Sequence, residues 1–415
     1  MTRKDENGNP VTFSKTLEWA SPVPVEVEHQ PYDPEAHGYQ QIKGAPPPPP
    51  LEKPPFTLKE IRDSIPPHCF ERSIPRAFFY TVINIVQCAA LFYIAWAFEG
   101  LPRVFTLIFW PIYWLLQGAT FFGIGVIGHE CGHEAYSKYV RLNHTVGFVL
   151  HTFILIPYFN WRTGHLKHHK GTGSVEHDEV HSLITRSRVK ILWMKMIDAS
   201  RLYTLIEIVG FLTVGVPMYL IFNYSGPQKY KGKVADHFSP SSVLFLPKQR
   251  MEIIMSDLAC LSWIFVLMYL GWEYSFSRVM YYYVIPLTVH NCFSVLLTFL
   301  QHTDTYVPHY RGEDWSWLRG TLCTVDRSYG KLLDVMFHHL ADTHVCHHLF
   351  PRIPFYHAQE ATEAVKTVLG KYYMWDETPV LQALWRVYRH CKFVEDEGPV
   401  AFYKTKLQDS KDLDD

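Results

Sequence analysis

Residues 126–137 read V-I-G-H-E-C-G-H-E-A-Y-S, and residues 164–173 read G-H-L-K-H-H-K-G-T-G. Far downstream, residues 342–350 read D-T-H-V-C-H-H-L-F. Each stretch borders an apolar segment, and each packs its histidines at the spacing of metal ligands. Together these three histidine boxes supply His129, His133, His165, His168, His169, His344, His347 and His348. The fold must therefore bring these imidazoles to one point beside a membrane.

The spacing within each box predicts where its rings point. Side chains at i and i+4 share one face of a helix, so His129 and His133 can bind one metal ion. In H-x-x-H-H the first and last rings are i, i+4 neighbours and the middle ring is turned aside, so one box can serve two adjacent metals. The three boxes hold twice the donors that one tetrahedral zinc uses. Two metals with open positions suit iron that binds and activates dioxygen. Imidazole ligands also suit zinc and copper, so iron is inferred from the number and arrangement of the donors.

Other residues near the boxes are candidates for supporting roles. His302 follows the last apolar run and is a candidate ninth ligand. Acidic neighbours could accept hydrogen bonds from the ligands' other ring nitrogens, namely Glu130, Glu134, Asp178 and Asp342. We interpret His151 and His290 as satisfied core residues. We interpret the run 177–181 as a solvated loop, with an accessory metal site as its alternative.

Composition limits the functional class. The formal net charge is −1, so the chain lacks the basic footprint of a nucleic-acid-binding protein. The 8 cysteines are scattered without a C-x-x-C pair. This pattern argues against a disulfide scaffold and for a reducing, cytosol-facing environment.

The two ends of the chain are polar. Residues 1–68 are poor in aliphatic side chains and include prolines 46–50, so we expect a disordered cytosolic tail without a cleavable signal peptide. The stretch 56–73 predicts a short amphipathic helix approaching the membrane. We place the membrane domain at 69–395 and a charged C-terminal tail at 396–415.

Apolar runs define the predicted crossings. Residues 77–98 and 104–127 each approach the roughly 20 residues that a membrane-spanning helix needs. The run 145–161 is short and contains Pro157, so we expect it to be interfacial or re-entrant. A full crossing there would separate the first two boxes.

Three further apolar runs follow. Only two of them can cross the membrane, because three crossings would place the third box on the opposite side from the first two. Residues 258–272 and 279–300 form a hairpin, and the Lys-rich segment before it should stay cytosolic. We therefore expect 204–222 to lie in the interface, although a rival pairing uses 204–222 and leaves 258–272 half inserted. The predicted fold is an all-α polytopic membrane protein with four transmembrane helices. A cytosolic helical cap carries the histidine boxes, and both termini are cytosolic.

Two other functional classes are a zinc metalloprotease and a non-catalytic metal carrier. H-E-C-G-H at 129–133 fits the zinc-metalloprotease pattern H-E-x-x-H, with Glu130 as general base. That hypothesis leaves both H-x-x-H-H boxes unused. A metal carrier would want ionisable residues within its crossings, and the apolar runs hold very few.

The motifs resemble those of the membrane-bound fatty-acid desaturases, closest to the oleate Δ12 and ω3 desaturases of the fungal and plant endoplasmic reticulum. Besides the boxes, L-Q-H-T-D, T-V-D-R-S-Y-G-K and P-F-Y-H-A-Q-E-A-T carry the resemblance, which covers about residues 56–395. It implies an O2-dependent oxidoreductase that introduces a cis double bond (Δ12, or ω3/Δ15) into an unsaturated 18-carbon acyl chain. The substrate would be bound to phospholipid or to coenzyme A.

The same resemblance implies cofactors and partners. It implies a di-iron centre held by the box histidines, with His302 as a further candidate, and electrons from cytochrome b5 and NADH-cytochrome b5 reductase. It also implies a multi-pass protein of the endoplasmic reticulum membrane with a cytosolic active site, and is compatible with an oligomer. Glu134, Gly164, His177 and His181 depart from the usual pattern beside the boxes. Relatives that act as acyl hydroxylases or acetylenases also differ near the boxes, so those reactions are the alternative.

Overall fold

A computed structural model describes residues 33–100, 102–189 and 201–405, which are mainly helical. Its α-helices are α1 Leu58–Ser64, α2 Ile74–Phe98, α3 Arg103–Gly132, α4 Val140–Phe153, α5 Tyr158–Gly171, α6 Arg201–Phe222, α7 Arg250–Leu270, α8 Phe276–Val279, α9 Ile285–His302, α10 Trp317–Thr321, α11 Lys331–Met336, α12 His344–Leu349, α13 Phe355–Leu369 and α14 Val380–His390. The strands β1 His309–Tyr310 and β4 Val400–Ala401 pair antiparallel, and β2 Val325–Asp326 and β3 Met374–Trp375 pair parallel. The predicted all-α class is confirmed, since these strands are only two residues long.

Four helical segments of the described chain are long and apolar enough to cross a membrane: α2, α3, α6 and the run 247–302. The helices α2 and α3 contain 25 and 30 residues, more than the roughly 20 that a crossing needs. The last turns of α3 are buried and include His129. The first box therefore lies at the end of the second predicted crossing.

The run 247–302 is a hairpin. Trp263 Nε1 donates to the Tyr283 hydroxyl at 2.9 Å, although residues twenty apart would be about 30 Å apart along one straight helix. The chain reverses near Ser275, whose backbone is extended at φ 165° and ψ 135°. The two legs, α7 and α8–α9, are those predicted at 258–272 and 279–300.

Both ends of α6 contact the cap that carries the histidines. At its start, Arg389 Nη1 of α14 donates to Thr204 Oγ1 at 3.3 Å. At its end, the backbone N–H of His237 donates to the Leu220 carbonyl at 2.8 Å, and the His237 carbonyl accepts from Asn160 of α5 at 2.6 Å. A helix that begins and ends on one side of the protein supports the interfacial placement predicted for 204–222. Its length and composition alone would also permit a crossing.

The helices α4 and α5 meet at an angle of 107°. Pro157 immediately precedes α5 and lacks the N–H that a continuous helix would use. The predicted interruption of 145–161 is therefore confirmed. The bend lays α5 across the end of α3, so that the second box faces the first.

The disorder predicted for residues 1–68 does not hold for the described residues 33–68. Leu51 and Ile61 are buried at 1% and 0% exposure, and Ile61 packs in one core with Val365 of α13. The few apolar side chains of 33–68 are thus enough to pack this segment against the rest of the protein. The stretch 56–73, predicted to form a short helix, contains α1 and the 3₁₀ turn Pro67–Phe70.

The charged C-terminal tail predicted at 396–415 contains the buried strand β4 within its described residues. Residues 1–32 and 406–415 lie outside the described part of the chain.

Candidate metal centre

Five box histidines form a first cluster, and all of its ligand atoms lie within 4.8 Å of one another. Consecutive Nε2 atoms face each other at 3.3, 2.9, 3.1 and 3.2 Å. In that order the rings are His129, His133, His165, His169 and His347. The cluster joins the end of α3 to α5 and α12.

A second cluster lies beside the first and contains His168, His302 and His348. The Nε2 atom of His302 lies 3.3 Å from that of His168 and 3.2 Å from that of His344. The structure thus brings together all eight box histidines and places His302 with them. In box two, His165 and His169 belong to the first cluster and the middle ring, His168, belongs to the second, as the spacing predicts. In box three the middle ring, His347, belongs to the first cluster, whereas His344 and His348 lie with the second.

The clusters fit two metal ions. A neutral imidazole has a single N–H, so a ring of converging Nε2 atoms cannot be satisfied by mutual hydrogen bonds. A cation among their lone pairs would satisfy all of them at once. Burial, and then the neighbouring histidines, hold the pKa values of His344, His347 and His348 well below the usual range. These rings are therefore neutral and can act as ligands.

Asp178 supports the second cluster. Its Oδ1 lies 2.9 Å from His168 Nδ1 and accepts the backbone N–H groups of Val180 and His181 at 2.9 Å each. Burial acts to raise the pKa of Asp178, but His168 and the other hydrogen bonds outweigh it and lower that pKa to about 2. An ionised carboxylate on Nδ1 leaves Nε2 of His168 free for a metal. The hydrogen bond predicted between Asp178 and a box histidine is confirmed.

The other acidic candidates have different partners. Glu134 pairs with Arg162 and Arg352, and Asp342 pairs with His339, so their predicted support of box ligands was wrong. Each of these carboxylates forms an ion pair with a basic side chain outside the boxes.

Glu130 stands 3.6 Å from His129 Nδ1, too far for a hydrogen bond. Its Oε2 accepts the N–H of Phe355 at the start of α13, at 3.0 Å. Glu130 is only 3% exposed. This placement disfavours the general-base role that a metalloprotease would require.

The reading of 177–181 as a solvated loop was wrong for His181. Its ring centroid lies 5.2 Å from that of His168 and 5.0 Å from that of His302. Its Nε2 is buried and has no hydrogen-bond partner in the described part of the chain. Burial, partly offset by Asp178, lowers the pKa of His181 to about 4. The sequence did contain a signal for this position. His181 is only three residues after Asp178, which was already a candidate partner of the box histidines, and its backbone N–H donates to that carboxylate.

The histidines set aside as core residues differ from each other. His151 Nε2 lies 3.1 Å from the Gly125 carbonyl, but its buried Nδ1 has no hydrogen-bond partner in the described part of the chain, so the prediction holds for one nitrogen only. His290 is buried, but neither of its ring nitrogens has a hydrogen-bond partner within 33–100, 102–189 and 201–405. For His290 the prediction of a satisfied residue was wrong.

Sequence reasoning missed a buried ion network behind His302. Asp304 Oδ2 accepts from Arg327 Nη2 at 2.8 Å and from Arg386 Nη2 at 2.7 Å, and both arginines also contact Asp376. The side chains of Arg327 and Asp304 are 0% exposed. Since Asp304 is two residues from His302, the network fixes the end of α9. Its partners are too distant in sequence to be paired by inspection.

Comparison with known proteins gives one consistent family. Residues 105–378 match the family model described as fatty acid desaturase. The chain is 44% identical to a Delta(12)-oleate desaturase of Trichosanthes kirilowii, over 86% of this chain and 98% of the relative. It is 43% identical to the omega-6 fatty acid desaturase, endoplasmic reticulum isozyme 1, of Glycine max, over 86% and 92%. It is also 43% identical to a Delta(12) fatty acid desaturase of Mortierella isabellina, over 85% and 91%.

Proposed function

The chain belongs to the fatty acid desaturase family, and from that membership we propose that it inserts a cis double bond at the Δ12 position of an oleoyl chain held in a membrane lipid. It is an oxidoreductase acting on fatty acyl chains. The names of its relatives favour Δ12 over ω3. The observation that carries the proposal is the pair of adjoining clusters built only from imidazoles.

The eight box histidines and His302 would hold two iron ions. Bound there, the irons would supply dioxygen activation and the oxidising power to remove two hydrogens from unactivated methylenes. The overall reaction consumes one O2, two electrons and two protons, and forms one carbon–carbon double bond and two waters. The remaining work of the protein is to keep the ligand rings neutral and to fix which methylenes reach the site.

A small cavity lies beside the first cluster and has room for about one water molecule. Its lining next to His347 combines the apolar side chains Leu340, Phe350, Ile353 and Phe355 with the polar side chains Glu130, His338 and Thr343. The apolar part of this lining would contact a methylene segment that reaches the first cluster. Phe355 also ties the cavity to α3, because its N–H donates to Glu130. Positioning of this kind decides the carbon at which the double bond forms.

The donor of the electrons would be cytochrome b5, itself reduced by NADH-cytochrome b5 reductase. Relatives named as endoplasmic reticulum enzymes and the apolar helices support that membrane as the location. We propose that α2, α3, α7 and α8–α9 cross it, while α6 lies in the interface. The clusters and both termini would then face the cytosol. The Lys-rich segment after α6 supports that orientation.

The test is the fatty-acid profile of a yeast whose own lipids contain oleoyl but no diunsaturated chains. The chain should add a diunsaturated 18-carbon acid with its new bond at Δ12, and the His348→Ala protein should add none. A bond at the ω3 position would reassign the regioselectivity, and a hydroxy or acetylenic acid would reassign the reaction. Full activity of the His348→Ala protein would contradict the ligand assignment.

A further inference from the structure

A third group of metal-binding side chains lies outside the two clusters. His68 and Cys69 belong to the turn Pro67–Phe70, and His357 and Glu360 belong to α13. The ligand atoms of these four side chains all lie within 4.8 Å of one another. The two segments are nearly 300 residues apart in sequence, since His68 and Glu360 differ by 292. They meet at the edge of the core that contains α1 and α12.

The distances between the donor atoms lie on either side of those in a tetrahedral zinc site. Zn–N bonds of about 2.0–2.1 Å and Zn–S bonds of about 2.3 Å place neighbouring donor atoms about 3.3–3.6 Å apart. Here Cys69 Sγ lies 3.8 Å from His68 Nε2, and His68 Nε2 lies 2.8 Å from Glu360 Oε2. One sulfur, two imidazoles and one carboxylate form a donor set that zinc accepts. Small rotations of exposed side chains would equalise these distances.

The site has a buried floor and an open rim. Cys69 is 0% exposed. The side chains of His68 and Glu360 are each 51% exposed. An ion could therefore enter from solvent and reach the sulfur without unfolding the protein. His357 and Glu360 are one turn apart on α13, and His68 and Cys69 are adjacent in a tight turn. The backbone thus already holds the four positions together.

The neighbouring cation must be accounted for. Arg76 Nη1 lies 3.4 Å from His357 Nε2, and its guanidinium rests over the Tyr356 ring at 5.0 Å. Arg76 is exposed, so it can turn away when a metal takes this nitrogen. Without a metal, the His68–Glu360 pair would be an ordinary surface ion pair with little effect on stability. In that alternative Cys69 is only a small side chain packed in the core beside α1.

We propose that His68, Cys69, His357 and Glu360 bind one Zn²⁺ ion, separate from the catalytic metals. On binding, the Cys69 thiol releases one proton to solvent and its sulfur becomes a zinc ligand. The ion fastens the segment before α2 to α13. The first residue of α13, Phe355, donates to Glu130 beside His129. The zinc site therefore stabilises the wall of the cavity next to the first cluster.

Cobalt is the probe, because a thiolate ligand gives Co²⁺ a charge-transfer band that imidazole and carboxylate ligands do not. The two histidine clusters contain only imidazoles, so this band reports on the third site alone. The full-length protein in detergent should bind one Co²⁺ with the band, and Zn²⁺ should remove it. Absence of the band from the wild-type protein would overturn the proposal.

Matched variants assign the ligands. Cys69→Ser should abolish the band, while Cys260→Ser, within α7, should retain it. Glu360→Gln keeps the thiol and should weaken Co²⁺ binding at least about tenfold, and Arg76→Gln should tighten it. Persistence of the band in the Cys69→Ser protein would contradict the assignment. Metal bound by the histidine clusters, measured in the same samples, shows whether each variant is folded and separates this result from the proposed catalytic function.

Discussion

His168 Nδ1 lies 2.9 Å from Asp178 Oδ1, so one carboxylate fixes the orientation of the ring that joins α5 to the second cluster. The prediction is that Asp178→Asn lowers metal affinity at the second cluster by about 10–100-fold, because outer partners of ligating histidines act at that scale. The first cluster should keep its ion. Metal content after graded exposure to a chelator measures the difference, and equal loss from both clusters would contradict it.

His181 should stabilise metal bound at the second cluster. Its buried Nε2 and its distances to His168 and His302 place it as a further imidazole there. Replacement by Phe should speed metal release to a chelator about tenfold. The matched control is His177→Phe, because the His177 ring lies 5.9 Å from that of Trp315 instead. Identical release rates in the two variants would remove His181 from the site.

Arg327 should be among the most sensitive positions for stability. Arg327→Leu leaves Asp304 and Asp376 with less compensation in a fully buried place, at a cost of about 3–5 kcal/mol. Arg352→Leu is the control, since that arginine pairs with Glu134 at the surface with its side chain 67% exposed and should cost about 0–1 kcal/mol. Thermal unfolding in detergent compares them. Similar midpoints would contradict a structural role for the network.

The close approach of α3 and α4 requires a glycine. A Cβ atom on Gly128 would lie 2.2 Å from His151 Cδ2, so Gly128→Ala must displace a ring that contacts Trp161, which also contacts His129. We expect loss of both metal binding and desaturation. Gly210→Ala in α6 is the control, because a Cβ there meets nothing within 4 Å. Gas chromatography of acyl chains from cells expressing each variant measures the contrast, and full activity of Gly128→Ala would show that the packing is not needed.

The topology predicts the state of a natural sequon. Asn223-Tyr-Ser225 is an N-glycosylation acceptor only if it faces the lumen, and an interfacial α6 keeps it on the cytosolic side. Microsomal expression should therefore give protein unchanged by endoglycosidase. A sequon placed in the turn between α2 and α3 should be modified and serves as the positive control. A glycan on Asn223 would establish the rival pairing of crossings.

Local spacing predicted most of the centre. The i, i+4 rule predicted that the His168 ring points away from those of His165 and His169. The boundaries between apolar and polar sequence predicted that the boxes lie at the ends of apolar runs. The hairpin between α7 and α9 also followed from composition, because two apolar runs flank a short turn.

Contacts between distant segments could not be predicted in this way. The Arg327 network, the place of His181 and the packing of Leu51 and Ile61 depend on partners that only the folded chain brings together. The partners of Glu134 and Asp342 were mispredicted for the same reason: nearby basic side chains compete for a carboxylate, and sequence distance does not rank them.

The most direct test of the central claim is the metal content of the purified full-length protein, combined with ⁵⁷Fe Mössbauer spectroscopy. Two clusters of neutral imidazoles predict two iron ions per chain, in two nitrogen-rich environments without sulfur. The His348→Ala protein should lose the second iron before the first. A single iron ion per chain, or zinc at the histidine clusters in place of iron in an active preparation, would contradict the account, whereas one zinc ion in addition to two irons agrees with the third site.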